Sequence, residues 1–203
     1  FFTRLNYSLM DKYLFTFTMR ADGSSRFGPE NRYGYFPSAA FAWKIDEEAF
    51  MPDSFSTFKL RLGYGITGNQ EGLGYGNFTT RRILNGYGID NGGNINGGGL
   101  GTAGFANPDL KWEETSQANV GVDFGFANDR LSGSLDFYYK DTQDLLLLAQ
   151  NAQPSPAAYS FTNIDGNVIN KGVEFAIEYD ILDSEDFFWN LGFNISILFI
   201  FEI

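Results

Sequence analysis

Cysteine and histidine are absent from the sequence. Their absence excludes disulfides, thiolate nucleophiles, zinc sites of the usual ligand set and any mechanism that needs an imidazole base. Basic residues are also scarce, 14 against 25 acidic ones, and the resulting net charge of −11 argues against binding to the phosphates of nucleic acid. We therefore expect no metal site, no cofactor and no nucleic-acid partner.

Long hydrophobic runs are missing as well. The longest are residues 145–149 and 197–201, whereas a membrane-spanning helix needs about 20 apolar residues. The chain begins Phe1-Phe2 without an initiator methionine, and we expect it to be a fragment of a larger protein. Aromatic residues are plentiful instead, with 22 Phe, 11 Tyr and 3 Trp.

Apolar and polar residues alternate along most of the chain. In residues 118–126 (ANVGVDFGF) apolar side chains alternate with polar or small ones. Residues 131–140 (LSGSLDFYYK) repeat the pattern after the turn-forming sequence Asn128-Asp129-Arg130, which predicts a hairpin. The same alternation predicts further strands at residues 4–9, 13–20, 33–45, 59–66, 173–180 and 189–196. The fold class is therefore all-β, with about eight meandering antiparallel strands.

The connections between these strands alternate in length. Short links are predicted at residues 11–12, 128–130 and 183–186, and a link of intermediate length at 46–57 contains a predicted helical turn at 47–51. Long loops are predicted at 22–32, 67–111 and 142–167. Alternate connections of a meander lie at opposite ends, so one end carries short turns and the other long loops, which is typical of outer-membrane barrels.

The aromatic residues favour the same interpretation, because Tyr and Trp form girdles at the two membrane–water interfaces of such barrels. Tyrosines and tryptophans fall near both ends of the predicted strands. The candidate interface aromatics are Tyr13, Trp43, Trp112, Tyr138, Tyr139 and Trp189. A membrane barrel would direct its apolar side chains to lipid and its polar ones to the lumen.

Charged residues occupy the face that would line this lumen. Facing hydrocarbon, an Arg or Lys would cost about 2–4 kcal/mol near the midplane. We expect most of these residues to solvate the wall and some to contact a solute or a plug. The candidate lumen-facing residues are Arg20, Arg61, Asp123, Asp136, Lys140, Glu174 and Glu178, and Arg4 and Lys59 share the pattern.

Enzymatic chemistry is not expected. Residues 63–68 (GYGITG) match the dinucleotide-binding pattern, but the glycines that follow cannot propagate the helix that this site requires. Glu174 and Glu178 share a strand face at about 13 Å, farther apart than a glycosidase pair.

Several motifs resemble the SusC/RagA-type TonB-dependent outer-membrane transporters. These motifs span residues 20–28 (RADGSSRFG), 31–38 (NRYGYFPS), 42–43 (AW), 60–70 (LRLGYGITGNQ), 107–113 (NPDLKWE), 136–140 (DFYYK) and 170–174 (NKGVE). The resemblance covers about residues 3–194, whereas residues 195–201 lose the expected alternation.

The resemblance implies a partial barrel of a larger receptor, whose plugged barrels have about 22 strands. It also implies import of bulky nutrients, such as oligosaccharides or peptides, across the outer membrane of a Gram-negative, Bacteroidota-like bacterium. Expected partners of the full-length protein are outer-membrane lipid, a TonB-type energy transducer, a SusD-like lipoprotein and the glycan or peptide. Residues 1–203 match only barrel wall, with no plug domain and no TonB box, so we expect the fragment alone to be inactive.

Two alternatives stay open at this point. A complete eight-strand outer-membrane barrel with a structural or adhesive role predicts a ladder between the first and last strands. A soluble carbohydrate-binding β protein predicts that the apolar faces of the strands pack together in one interior.

Overall fold

A computed structural model describes residues 1–52, 54–77, 79, 81–84, 88–89, 95–96, 100–152, 155, 159–183 and 187–202. The strands are β1 Phe2–Leu9, β2 Tyr13–Gly23, β3 Tyr33–Lys44, β4 Phe55–Asn69, β5 Arg81–Leu84, β6 Gly88–Ile89, β7 Ile95–Asn96, β8 Leu100–Gly104, β9 Glu113–Phe126, β10 Leu131–Gln143, β11 Leu145–Gln150, β12 Tyr159–Ile164, β13 Val168–Asp183 and β14 Phe188–Glu202. A 3₁₀ turn covers Ile45–Glu47 rather than residues 47–51. None of the described residues belongs to a helix long and apolar enough to cross a membrane.

One eight-stranded antiparallel sheet dominates the structure. Its strand order is β1-β2-β3-β4-β9-β10-β13-β14, so strands that are consecutive in this list are neighbours in space. This confirms the predicted meander. In the described part of the chain, no ladder joins β1 to β14, and both outer strands leave one edge unpaired. The complete eight-strand barrel predicted a ladder there and is therefore not supported.

Short turns connect the strands at one end of this sheet. Met10 and Asp11 have positive φ between β1 and β2, and so do Ala127, Asn128 and Asp129 between β9 and β10. Asn and Asp tolerate the left-handed conformation better than most residues, which explains the turn at 128–129. Most of the third predicted short link, 183–186, lies outside the described residues.

The register of the strands separates an apolar face from a polar face. One row of paired residues on the apolar face is Tyr7, Phe15, Phe41, Leu62, Val120, Phe137, Val173 and Ile197. The adjacent row on the polar face includes Ala42, Arg61, Gly121, Asp136, Glu174 and Ser196. Val120 is 44% exposed and Phe137 49%, so no described part of the chain covers the apolar face at these residues. A soluble protein with a packed apolar interior is therefore not supported.

The long connections lie at the opposite end and contain short strands. Within 142–167, β11 pairs with β12 in a separate hairpin. Within 67–111, β5 pairs with β8 and β6 with β7. Two of the three long connections therefore contain more regular structure than a loop.

A cluster of aromatic and aliphatic side chains is buried at this long-loop end, and we call it the loop core. Among the described residues, the buried hydrophobic side chains are Phe27, Phe36, Leu73, Leu110 and Trp112. Ile66, Leu146 and Phe161 pack against them. Three connections and the strands β3 and β4 therefore meet in one cluster, whereas the rest of the described sheet contains no buried hydrophobic side chain.

The loop core fills a place where two strands of the sheet separate. β3 and β4 pair only from Ser38–Gly65 to Lys44–Lys59, while β4 stays paired with β9 as far as Asn69. Pro37 lies beside the last pair and has no N–H to donate to a ladder, which is a physical reason for the separation. Phe36 occupies the gap so closely that a Cβ on Gly68 would lie 2.0 Å from its ring.

Candidate functional site

The polar face of the sheet carries a network of charges centred on Arg61. Its Nη2 lies 2.7 Å from Oδ1 of Asp123 and 2.9 Å from Oδ1 of Asp136. Lys59 lies 3.0 Å from Oδ2 of Asp123. Strands β4, β9 and β10 contribute one or two residues each, and the alternation within each strand brings them to the same face. Three of the seven candidate lumen-facing residues are thus brought together.

Gly121 makes this network possible. It lies between Arg61 and Asp136 in the row, and a Cβ there would lie 2.2 Å from a carboxylate oxygen of Asp136. The absence of a side chain lets the guanidinium reach across β9 to a carboxylate on β10. The charges therefore compensate one another across three strands.

Glu174 and Glu178 lie on the same face but outside the network. Their register partners on β10 are Asp136 and Ser132. Among the described residues, neither carboxylate lies within ion-pair distance of a cation. Glu174 shares a polar recess of about 480 Å³ with Arg61, Tyr138 and Lys140. This part of the face can accept cationic or hydroxyl groups from whatever occupies the space beside it.

Arg20 lies nearer the long-loop end, away from the network. It forms an ion pair with Asp22 on the same strand. Both line a second polar recess, of about 430 Å³, together with Asn69, Glu71 and the buried Trp112. Lys140 approaches no described carboxylate closely, but its Nζ lies 5.6 Å from the ring centre of Tyr138.

The apolar face carries aromatic residues whose polar atoms are held at the short-turn end. Tyr13 and Trp43 are register partners, and their rings stack at 5.9 Å. The Tyr13 hydroxyl donates to Oε1 of Glu48 at 2.7 Å, and Trp43 Nε1 donates to the same oxygen at 3.2 Å. These two hydrogen bonds hold the pKa of Glu48 below its usual range, with a further contribution from Lys12 at 3.3 Å.

The sequence analysis did not select Glu48, although it follows Trp43 by only five residues. The signal that could have found it is an acidic residue in a link directly after a predicted interface aromatic. In the structure the carboxylate fixes both rings with their polar atoms pointing to the turn end, the orientation that an aromatic girdle adopts at an interface. Tyr139 and Trp189 are also exposed on the apolar face, as predicted from the alternation.

Two predicted interface aromatics lie elsewhere. Tyr138 is on the polar face, two residues from both Asp136 and Lys140, because adjacent strand residues point to opposite sides. Trp112 is only 6% exposed and belongs to the loop core, with its ring 5.0 Å from Phe27 and 5.5 Å from Phe36. It precedes β9, so strand alternation does not determine its direction.

The loop core is the other functional candidate, and the sequence analysis did not predict it. Side-chain amides tie the segment before β9 to the β11–β12 hairpin. The Asn163 amide donates to the carbonyl oxygen of Lys111 at 2.9 Å and accepts from the Lys111 N–H at 3.0 Å. Asn107 donates to the carbonyl oxygen of Phe161 at 3.0 Å. Lys111 also lies 2.8 Å from Asp144.

Comparison with known proteins identifies the sheet. Residues 1–199 match the family model described as TonB dependent receptor-like, beta-barrel. The chain belongs to this family. It is 43% identical to the TonB-dependent receptor SusC of Bacteroides thetaiotaomicron, over 97% of this chain and 20% of that protein. It is 39% identical to the TonB-dependent receptor P3 of Formosa agariphila, over 96% of this chain and 19% of that protein.

Solved structures agree with the sequence relatives. The structure of the RagAB peptide transporter matches 99% of this chain and 21% of its own, with a TM-score of 0.82 and 31% identity. The siderophore receptor PirA of Pseudomonas aeruginosa shares the fold, with a TM-score of 0.58 and 14% identity. The TonB-dependent barrel chain described here therefore spans about a fifth of its curated relatives.

Family membership confirms the resemblance to SusC/RagA-type receptors and explains the open sheet. The eight strands are part of a larger barrel wall, so β1 and β14 end the segment rather than the barrel. An open edge exposes backbone groups that a neighbouring strand satisfies in a closed wall. The relatives are receptors and transport proteins by name, which agrees with the expectation that the chain is not an enzyme.

Proposed function

We propose that this chain is a stretch of the wall of an outer-membrane transporter that imports oligosaccharides or peptides with energy from a TonB-type protein. In this proposal the apolar face contacts lipid and the polar face lines the lumen. The full-length protein carries a plug domain and a TonB box and has a SusD-like lipoprotein as a partner. The single observation that carries the proposal is the separation of the two faces across all eight strands.

The spacing of aromatic residues on β3 supports the membrane assignment. Tyr35 and Trp43 are both on the apolar face, eight residues apart. That separation corresponds to about 26 Å along the strand. With the usual tilt of about 40°, it spans about 20 Å of height, close to the apolar band of about 25 Å in outer-membrane barrels.

The charged network supports the lumen assignment. Arg61, Asp123 and Asp136 compensate one another on the polar face, and their side chains are only partly exposed. Placed toward hydrocarbon, Arg61 alone would cost about 2–4 kcal/mol near the midplane. A watery lumen, or the polar surface of a plug, solvates the same groups at little cost.

The substrate class is part of the proposal, and the name of one relative supports the peptide alternative. RagAB is named as a peptide transporter, and other relatives are named only as TonB-dependent receptors. The recess beside Arg20 and Asp22 is polar and lies at the long-loop end, where a solute enters such a barrel. Hydroxyl and amide groups of glycans and peptides both match this lining.

Uptake by the host bacterium tests the proposal. Deletion of the gene for the full-length receptor should abolish accumulation of either labelled oligosaccharides or labelled peptides, and the full-length gene should restore it. A protonophore should abolish the restored uptake, because a TonB-type protein draws on the proton gradient. Unchanged uptake of both classes after deletion would contradict the function. Uptake restored by residues 1–203 alone would contradict the expectation that the fragment is inactive.

A further inference from the structure

A recess lies in the apolar face over strands β1 to β4, and we call it the alanine notch. Its volume is about 400 Å³. The backbone around Ala39, Ala40 and Gly63 forms its floor, and the walls are almost entirely hydrocarbon, with Thr16 as a polar exception. The lining side chains of the walls are Leu5, Tyr7, Phe15, Phe17, Phe41, Leu62 and Tyr64.

The notch results from a small residue that lies between two aromatic residues of its row. Ala39 pairs with Phe17 on one side and with Tyr64 on the other. In the next row, the rings of Phe15 and Phe41 pack at 4.9 Å and close one end of the recess. A single methyl group thus stands where its neighbours present rings, and a slot opens between them.

The notch lies at half height in the apolar band. Ala39 is four residues from Trp43 and four from Tyr35 on β3, about 13 Å along the strand in each direction. A group that reaches it must therefore be hydrocarbon over its whole length. The ends of lipid acyl chains reach this depth.

We propose that the alanine notch binds the end of an acyl chain from an outer-membrane lipid. This rests on the proposed membrane placement of the apolar face. The notch is continuous with the face assigned to lipid, and its almost purely apolar lining favours a methylene chain over a polar ligand.

Native mass spectrometry of the full-length receptor, released from micelles that contain dimyristoylphosphatidylethanolamine, tests the proposal. In Ala39→Phe a ring fills the slot, and we expect retention of one bound lipid to weaken about tenfold. Ala118→Phe is the matched control, because Ala118 is exposed in the same row between Tyr64 and Tyr139 but does not line the notch. The control should retain lipid like the unsubstituted protein.

Equal retention in Ala39→Phe and the unsubstituted protein would overturn the proposal. So would loss of an oligomer in Ala39→Phe with unchanged lipid retention, since the occupant would then be a second copy. Quenching by chain-brominated lipids, compared between the unsubstituted protein and Trp43→Phe, separates this failure from that of the membrane assignment. An unquenched Trp43 would overturn both, whereas a quenched Trp43 with equal retention would overturn only the acyl-chain site.

Discussion

The eight-stranded sheet, which we call the wall, and the loop core differ in what buries their hydrophobic side chains. In the wall, backbone ladders connect eight strands and large side chains such as Phe137 remain exposed on the apolar face. In the loop core, Phe27, Leu110 and Trp112 are excluded from solvent by one another. In the proposed placement the wall depends on lipid and on neighbouring strands for burial, whereas the loop core supplies its own hydrophobic stabilisation.

The difference explains where residue identity matters. On the apolar face, any large hydrocarbon side chain serves a lipid contact, so shape is weakly constrained. In the loop core, the rings of Phe27, Phe36 and Trp112 fit one another at 5.0 Å and 5.5 Å, and Phe36 leaves no room for a Cβ on Gly68. Substitutions should accordingly be tolerated in the wall and costly in the core.

The largest effect is expected for Trp112→Ala. Removing this buried ring leaves a cavity among side chains from three connections and two strands, at a cost of about 3–5 kcal/mol. Hydrogen exchange of the full-length receptor in micelles should show this loss at amides of residues 24–36, 70–77 and 107–113. The ladders between β9, β10 and β13 should keep their protection.

Phe137→Ala is the matched control on the wall. Its ring is exposed on the apolar face, and we expect a change below about 1 kcal/mol. If Phe137→Ala destabilised the receptor as much as Trp112→Ala, the distinction between wall and core would be wrong.

A smaller effect is expected for Arg61→Met. The substitution leaves Asp136 without its cation, while Asp123 keeps Lys59, and the loss should be about 1–2 kcal/mol for partly exposed groups. The denaturant midpoint of the full-length receptor in micelles measures it. Adding Asp136→Asn should recover part of the loss, because the unpaired charge is then removed.

Lys140→Met provides the comparison for Arg61→Met. Lys140 is on the same face, but its Nζ lies over the ring of Tyr138, 5.6 Å from the ring centre, and not beside a described carboxylate. Its removal should shift the midpoint less. An equal shift would mean that the network adds nothing beyond the presence of a cation on this face.

The smallest effect is expected from acidification at the short-turn end. Hydrogen bonds from Tyr13 and Trp43 lower the pKa of Glu48 in the folded state. A lowered folded-state pKa contributes stability above the unfolded pKa of the group, and that stability is lost as pH falls through the folded pKa. Glu48→Gln should therefore lower the denaturant midpoint near neutral pH and make little difference in acid. A difference that grew on acidification would contradict this assignment.

The strands, their order and their two faces could be predicted because alternation with period two is a local property of the chain. The same local rule explains why Arg61, Asp123 and Asp136 lie on one face. It also accounts for Tyr138 on the polar face, because adjacent strand residues such as Tyr138 and Tyr139 point to opposite sides of the sheet. The expectation for Tyr138 considered its distance from the strand end and not its parity.

The loop core could not be predicted in this way. Trp112 and Phe27 lie outside the strands, where no period applies, and their burial depends on contacts between segments far apart in sequence. The run at residues 145–148 has no alternation, so its pairing in the β11–β12 hairpin had no sequence signal. The positive φ of Asp144, directly before β11, is seen only in the structure. Glu48 acts through two aromatic residues on different strands, which a single strand pattern does not reveal.

The motifs at residues 20–28, 31–38, 60–70 and 107–113 each supply residues that meet in or beside the loop core. This arrangement determines which segments can be exchanged separately in a chimera of this receptor and a relative. A hairpin of the sheet can be exchanged alone if the parity of its strands is kept, but a connection that contributes to the loop core cannot. The side chains of the four motif segments pack in or beside one cluster. A chimera that takes some of these segments from another receptor would therefore place mismatched side chains in the loop core.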